Sequence, residues 1–420
     1  MVHSSRRASK NGSVRTTSRS LHFLLFIFIL LGLLIPQVPS AWASSDSGPR
    51  ALGTYSAELR SATGHIDTAG MITSIKALHA NTYDYLVLHR STDWEDLPGF
   101  LQAAAKEDIS VRVVLSVPWP EATPPVPYGD DFVVWARQLS QLSVAYPNLK
   151  AMIIDDFIHK INPVLSNSNG DPNGPFTVSY VKQIYTALHS VNRNLKLLVG
   201  AYTLPAGFAG TVATDFVQSY GDIIDGMWIA HWNTNVGDLE YELERIGGLL
   251  QGKDLQVVIY ANNPDTWWGP FRQNGTVPTP DYVRTALTIA YKYATGVTTY
   301  CLPLSGNDPF YPTLYPVVSD LYLTWSSVTI KAKTNLGQEL PVSFPGYSST
   351  PLYLTPQGPE TLTAPGVVVL NGTSYYLLGW EDGSGSLVSK GASFTCDTQS
   401  IGRTLYLVYE PFTLTVRRRS

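Results

Sequence analysis

From residue 51 to about residue 325 the chain alternates short apolar runs with longer amphipathic stretches. The apolar runs lie at 53–57, 85–89, 111–117, 150–155, 196–201, 224–231, 255–260 and 297–302, with segments such as Met-Ile-Ile and Leu-Leu-Val-Gly-Ala. A strand that is apolar throughout, rather than at alternate positions, has both faces buried, as in a parallel sheet covered by helices. Helical periodicity falls between these runs at 93–106, 131–145, 177–191, 239–250 and 280–294. Asp93 or Asp130 precedes apolar periodicity in two of these stretches, and Thr279-Pro280-Asp281 opens the last, as helix-start signals do. Eight such alternations in 51–325 predict an α/β fold, a (β/α)8 TIM barrel. The competing doubly wound sheet would carry a Gly-rich phosphate turn after its first strand, and Gly53-Thr54-Tyr55 is not one.

After residue 325 the texture changes. Short β-runs at 327–332, 351–355, 367–370, 375–380 and 404–409 are broken by Pro and Gly with little helical periodicity, which predicts a small all-β sandwich over 326–420. At the other end, Leu21 to Ile35 is uncharged and follows a basic stretch, and Ala41-Trp42-Ala43 has the small–x–small pattern of a cleavage site. Residues 1–43 are therefore expected to be a signal peptide and 44–50 a linker, the protein being secreted or at the cell surface. The alternative is an uncleaved anchor, for which the run is short, since a stable span needs about 20 residues. A membrane is expected as a partner only through that leader.

Composition narrows the function. The chain has 420 residues, 44% hydrophobic and 15% charged, with 10 tryptophans, which excludes a disordered chain. Residues 1–43 carry five of the 29 bases and none of the 33 acids, so the remainder holds 24 bases against 33 acids, a net charge of −9. An acidic surface is a poor match for nucleic acid, and none is expected as partner. Cys301 and Cys396 are the only cysteines, open to one interdomain bridge or to two unpaired thiols. No G-x-S-x-G, phosphate loop, Cys–His pairing or His-x-x-x-His is present, so neither metal nor other cofactor is expected.

TIM-barrel chemistry sits at the carboxyl ends of the strands. Those positions hold His89, Arg90 and Trp94; Trp119 and Glu121; Asp155, Asp156 and Phe157; Tyr202; His231 and Trp232; and Tyr260, Trp267 and Trp268. Five tryptophans on one rim, Trp94, Trp119, Trp232, Trp267 and Trp268, suit stacking on sugar rings, or else cap the barrel core. Asp155-Asp156 is the sharpest feature. Two carboxylates ending an apolar strand are costly unless hydrogen-bonded or open to a cleft, and a like-charged neighbour raises one pKa. Glycoside hydrolysis requires one protonated carboxyl and one carboxylate. The bland alternative has one Asp capping the next segment or pairing with Arg90. Strand alternation predicts that the two side chains diverge, which calls for another acid. Glu121 or Glu58 is the expected partner, with Asp265 and Asp308 more easily read as solvated. His89 and His231 could form an acid–base pair across the mouth, or bind hydroxyls and carbonyls.

Two resemblances follow from specific residues. The blocks Tyr146-Pro147-Asn148-Leu149 and Ile154-Asp155-Asp156-Phe157, set among Tyr83–Leu86, Val111–Leu115 and Phe176–Tyr180, resemble a group of secreted glycoside-hydrolase-like TIM-barrel proteins. That resemblance implies the barrel and marks Asp155, Asp156 and Phe157 as site residues. The D-x-x-D-x-D-x-E run of chitinase-type barrels is missing, which argues against an N-acetyl-assisted mechanism. Gly379-Trp380-Glu381-Asp382-Gly383-Ser384 with Leu405–Tyr409 resembles Ig-like accessory modules of secreted bacterial proteins.

The expectation is a carbohydrate-active hydrolase acting on a polysaccharide or oligosaccharide. Asp155, Asp156, Glu121 and Glu58 are its candidate acids. His89, Arg90, Trp119, Phe157, Tyr202, His231, Trp232, Tyr260, Trp267 and Trp268 are expected to bind substrate. A non-catalytic glycan-binding barrel and a His-based phosphodiesterase are the alternatives.

Overall fold

The computed structural model describes residues 50–412, apart from 89, 118–123, 162–175, 204–210, 232–235, 262–277, 305–310, 346, 348, 355–358 and 398–399. Eight parallel strands close into a barrel in sequence order: β1 Ala51–Tyr55, β2 Thr82–Val87, β3 Ser110–Ser116, β4 Leu149–Asp155, β5 Lys196–Tyr202, β6 Gly226–His231, β7 Asp254–Tyr260 and β8 Gly296–Tyr300. Strand β8 shuts the barrel against β1, with Ala51 opposite Gly296 and Tyr55 opposite Tyr300. A helix follows each strand: α1 Thr68–Ala77, α2 Ser91–Ala105, α3 Phe132–Ala145, α4 Val178–His189, α5 Thr211–Tyr220, α6 Leu239–Leu250, α7 Pro280–Tyr293 and α8 Tyr311–Ser326.

The helix caps explain several starts. Asp67 accepts from the Gly70 amide, Thr177 from Tyr180, and Thr279 from Tyr282 with Pro280 in the first turn. Two expected caps shift. Asp131, rather than Asp130, accepts from the Val134 amide at the head of α3. Asp93 lies inside the first turn of α2, where Arg90 takes the cap position without a side-chain bond. Helices α1 and α8 lack a clean apolar stripe in the sequence, and α8 carries Pro316 internally.

Strand β2 starts three residues before the apolar run at 85–89, for a physical reason. Thr82 is buried and donates to the Asn81 side chain, and Asp84 is fully buried in a polar cluster rather than an apolar core. Arg112 of β3 donates from Nε to Asp84, from Nη1 to Gln256 of β7 and from Nη2 to Thr298 of β8 at 2.7 Å. Trp228 of β6 donates its indole N–H to the other Asp84 oxygen at 3.1 Å. A Cβ on Gly53 would stand 2.4 Å from the Thr298 hydroxyl oxygen, so glycine makes room for this network. Above it, Tyr55, Val114, Ala151, Ile153, Leu198, Trp228, Ala230 and Val258 form the apolar barrel interior. The larger core lies between strands and helices.

Beyond α8 the chain forms β9 Val328–Thr334, β10 Leu352–Leu354, β11 Glu360–Thr363, β12 Val367–Leu370, β13 Thr373–Asp382, β14 Leu387–Ser389, β15 Ser393–Cys396 and β16 Thr404–Pro411. One sheet runs β10-β9-β16-β13-β12 with β14 on β13, and β11 pairs with β15. Leu362 and Cys396 of the small sheet share a core with Trp380, Leu405, Leu407 and Tyr409 of the large one. Trp325, at the end of α8, stacks on Tyr291 at 4.2 Å, and Arg50, just before β1, lies 4.7 Å over the same ring. All three belong to the amino end of the strands, so the β-module follows from the end of the barrel opposite the mouth. Cys301 and Cys396 are free thiols.

Arg112→Met leaves Asp84 fully buried and without its cation, a loss worth about 3–5 kcal/mol. Unfolding measurements should therefore find the single variant strongly destabilised and the Arg112→Met/Asp84→Leu double variant largely restored. A single-variant loss below about 1 kcal/mol would show that the network carries no such charge pairing.

Candidate active site

Strand β4 alternates Ala151, Ile153 and Asp155 towards the barrel interior, and Asp155 is its last residue. Its carboxyl therefore arrives at the mouth, only 9% exposed. Asp156 is the first residue off the strand and takes a left-handed conformation, φ 56°. Gly200 of β5 permits this turn: a Cβ there would lie 2.9 Å from the Ile154 carbonyl oxygen and 3.2 Å from the Asp156 nitrogen.

That backbone turn corrects the expected divergence of the two acids. The Tyr202 hydroxyl at the end of β5 donates to Oδ1 of Asp156 at 2.5 Å and stands 3.4 Å from Oδ1 of Asp155. Both carboxyls thus meet one phenol. Alternation predicts opposite directions only while the strand continues, and the left-handed residue ends it. The Asp156 amide donates to Oδ1 of Asp155 at 2.8 Å, and the Tyr55 hydroxyl lies 3.4 Å from Oδ2.

Four tyrosines surround this pair: Tyr55, Tyr202, Tyr260 and Tyr300, each the last residue of its strand. Tyr55 packs on Tyr300 at 5.0 Å and edge-on to Trp228 at 5.6 Å, while Tyr260 packs on Tyr300 at 4.5 Å. Burial, with a contribution from Asp155, pushes all four phenols well above their ordinary range, so they remain neutral donors. Burial also pushes the Asp155 carboxyl up to about 8, the neighbouring Asp156 carboxyl pushing the same way, against the opposing hydrogen bonds from Asp156, Tyr55 and Tyr202. At neutral pH Asp155 is a protonated acid at the floor of a tyrosine-walled mouth.

The remaining candidates fall in different places. His231, at the end of β6, is buried, with Nδ1 2.6 Å from the Thr203 hydroxyl. Glu58 does not join Asp155. It pairs with Arg60 at 3.1 Å, Arg60 also holds Asp93 at 2.6 Å, and the rings nearest in charge are Tyr83 and Tyr85. Those rings pack on Phe100 of α2, in the layer outside the barrel. Phe157 is not a substrate platform: it is fully buried, stacked on Phe176 at 4.7 Å and edge-on to Phe216 and Tyr220. Its side chain follows the short helical turn Phe157–Lys160 into the helix layer. Arg90 is exposed and pairs with neither aspartate in the described contacts. Trp94 packs edge-on against Tyr128 and Trp135 rather than standing open. His89, Trp119, Glu121, Trp232, Trp267, Trp268, Asp265 and Asp308 lie outside the described residues.

Tyr55 and Tyr300 were missing from the sequence-based candidates, although the signal is visible. Gly-Thr-Tyr55, Gly-Ala-Tyr202, Val-Ile-Tyr260 and Thr-Thr-Tyr300 close four of the eight strands.

No protein-family model matches the chain, and no curated protein matches it significantly. Solved structures do. A GH113 β-1,4-mannanase is 9% identical and covers 66% of this chain and 99% of its own, with TM-score 0.46. A cellulase in complex with an inhibitor is 11% identical, covering 65% and 92%, TM-score 0.44. The GH53 catalytic domain of Ignisphaera aggregans is 12% identical, covering 64% and 87%, TM-score 0.43. At such identities the likeness is one of fold alone.

Protonated Asp155 ties stability to pH. Its folded pKa of about 8 lies above the unfolded value of about 3.9, so the folded state holds the extra proton between them. Stability from this group is complete below about pH 4 and declines up to about pH 8. Asp155→Asn removes that slope, so its melting temperature should gain on the wild type steadily from pH 4 to pH 8, as differential scanning calorimetry would record. A constant difference across that range would contradict a raised Asp155 pKa.

Proposed function

We propose that the chain is a carbohydrate-active hydrolase that cleaves glycosidic bonds with Asp155 as the proton donor. The observation that carries this reading is the buried Asp155 carboxyl at the barrel mouth, pushed up to about 8 and set beside a second carboxyl. A general acid works best when it stays protonated near the operating pH yet releases its proton readily. Asp155 gives its proton to the departing glycosidic oxygen, and Asp156 supplies negative charge beside the oxocarbenium-like transition state. The tyrosine rings offer flat apolar faces and neutral hydroxyl donors, which suit a sugar ring better than an ionic ligand. The basic n-region, apolar run and Ala41-Trp42-Ala43 support export, where polymeric glycans are met. Glu121 stays the candidate for a further acid, with Trp119, Trp232, Trp267 and Trp268 as candidate subsite platforms. The β-module, built at the barrel end away from the mouth, serves as a spacer or a separate glycan-binding module.

A second reading, a glycan-binding barrel without turnover, draws on one observation. Glu58, an expected second acid, is held by Arg60 away from Asp155. Hydrolysis of a panel of neutral polysaccharides separates the two. The hydrolase reading expects turnover that falls by roughly 10²–10⁴-fold in Asp155→Asn and declines in the wild type above about pH 8. Glycan binding with no hydrolysis by the wild type would favour the second reading, and undiminished hydrolysis in both Asp155→Asn and Asp156→Asn would remove the pair from the mechanism.

A further inference from the structure

We propose that Tyr202 is the positioning residue that decides which of the two aspartates keeps the proton. This rests on the hydrolase reading for its consequence, but its physical content stands without it.

A phenol carries one hydrogen and can donate it to only one acceptor at a time. The Tyr202 oxygen is 2.5 Å from Oδ1 of Asp156 and 3.4 Å from Oδ1 of Asp155, so the hydrogen goes to Asp156. A donated hydrogen bond favours the ionised form of its acceptor. Tyr202 therefore gives its close hydrogen bond to Asp156 and leaves Asp155 without a close phenolic donor. Asp155 is buried next to another carboxyl, where its charged form is costly, so the proton stays on Asp155.

The place of the proton on Asp155 follows from its other contacts. Oδ1 accepts the Asp156 backbone N–H at 2.8 Å, and an amide can only donate. The proton therefore belongs on Oδ2, which faces the Tyr55 oxygen at 3.4 Å. That contact is long, leaving the proton weakly held and available to a substrate oxygen in the mouth. Tyr202 thus acts through Asp156 and Asp155, and Gly200 two residues earlier lets β5 approach β4 closely enough for the contact. In catalysis the O–H bond on Oδ2 of Asp155 and the glycosidic C–O bond break as the new O–H bond to the leaving alcohol forms. A water oxygen then bonds to the anomeric carbon, and the proton it sheds restores the Asp155 carboxyl.

Tyr202→Phe keeps the ring and deletes the hydroxyl, and isotope-edited infrared spectroscopy of the full chain at neutral pH reads the protonated carboxyl directly. In the wild type one protonated-aspartate band should be present, lost in Asp155→Asn and retained in Asp156→Asn. In Tyr202→Phe that band should weaken or split as the proton becomes shared with Asp156. On a glycan substrate, kcat should fall by on the order of 10-fold or more with KM little changed. A wild-type band that disappears in Asp156→Asn instead, or a Tyr202→Phe band unchanged in intensity and pH midpoint, overturns the assignment. If the infrared result holds while no glycan is turned over, the proton assignment stands and the hydrolase reading fails. Should Tyr202→Phe not fold, the wild-type, Asp155→Asn and Asp156→Asn spectra still decide which aspartate holds the proton.

Discussion

The mouth of this barrel is organised around one constraint: the Asp155 carboxyl is buried at the end of β4 beside a second carboxyl, where its charge is costly. The surrounding architecture answers that constraint. A left-handed residue at Asp156 folds the second carboxyl back beside the first, and a glycine on the neighbouring strand leaves room for the turn. Neutral phenols, rather than cations, provide the described side-chain donors. A lysine or arginine in their place would have stabilised two carboxylates. Hydroxyls let one remain an acid.

A second polar cluster shows the contrast. Lower in the same barrel, Asp84 meets Arg112, with Gln256, Thr298 and Trp228 completing the hydrogen bonds. There the charge is matched by an opposite charge and sealed, which fixes strand positions but leaves no group to exchange a proton. The apolar layer of Val114, Ile153, Leu198 and Val258 separates the two clusters. One barrel therefore holds an ion-paired base that stabilises register and a proton-bearing rim suited to chemistry.

Much of this was legible from the sequence. Continuous apolar runs at a steady spacing announced the closed parallel barrel, and helix α6 begins and ends where its periodicity does, at Leu239–Leu250. The change of texture near residue 325 marked where α8 gives way to β9. Asp155 stood out because a charge at the end of Met-Ile-Ile is anomalous. The structure departed where local geometry overrides pattern. Strand alternation sent Asp156 away from Asp155, but a single left-handed residue reversed it. Phe157 lay beside the acids in sequence, yet the following turn carried it into the helix layer. Asp84 and Arg112 interrupted the apolar pattern because their partners come from strands up to 186 residues away, which no local period reveals. Tyrosine counts as apolar in a run, so Tyr55 and Tyr300 read as core, whereas Tyr202 and Tyr260 stood out at their strand ends.

The central claim is that Asp155 delivers the proton that frees the leaving alcohol, and the dependence of rate on leaving group tests it most directly. Glycosides of acidic phenols depart without protonation, whereas sugar alcohols do not. Comparing wild type with Asp155→Asn on both kinds of substrate should show near-normal rates on the activated aryl glycoside and a loss of roughly 10²–10⁴-fold on the natural linkage. Equal losses on both substrates would contradict the account and place Asp155 in a different role.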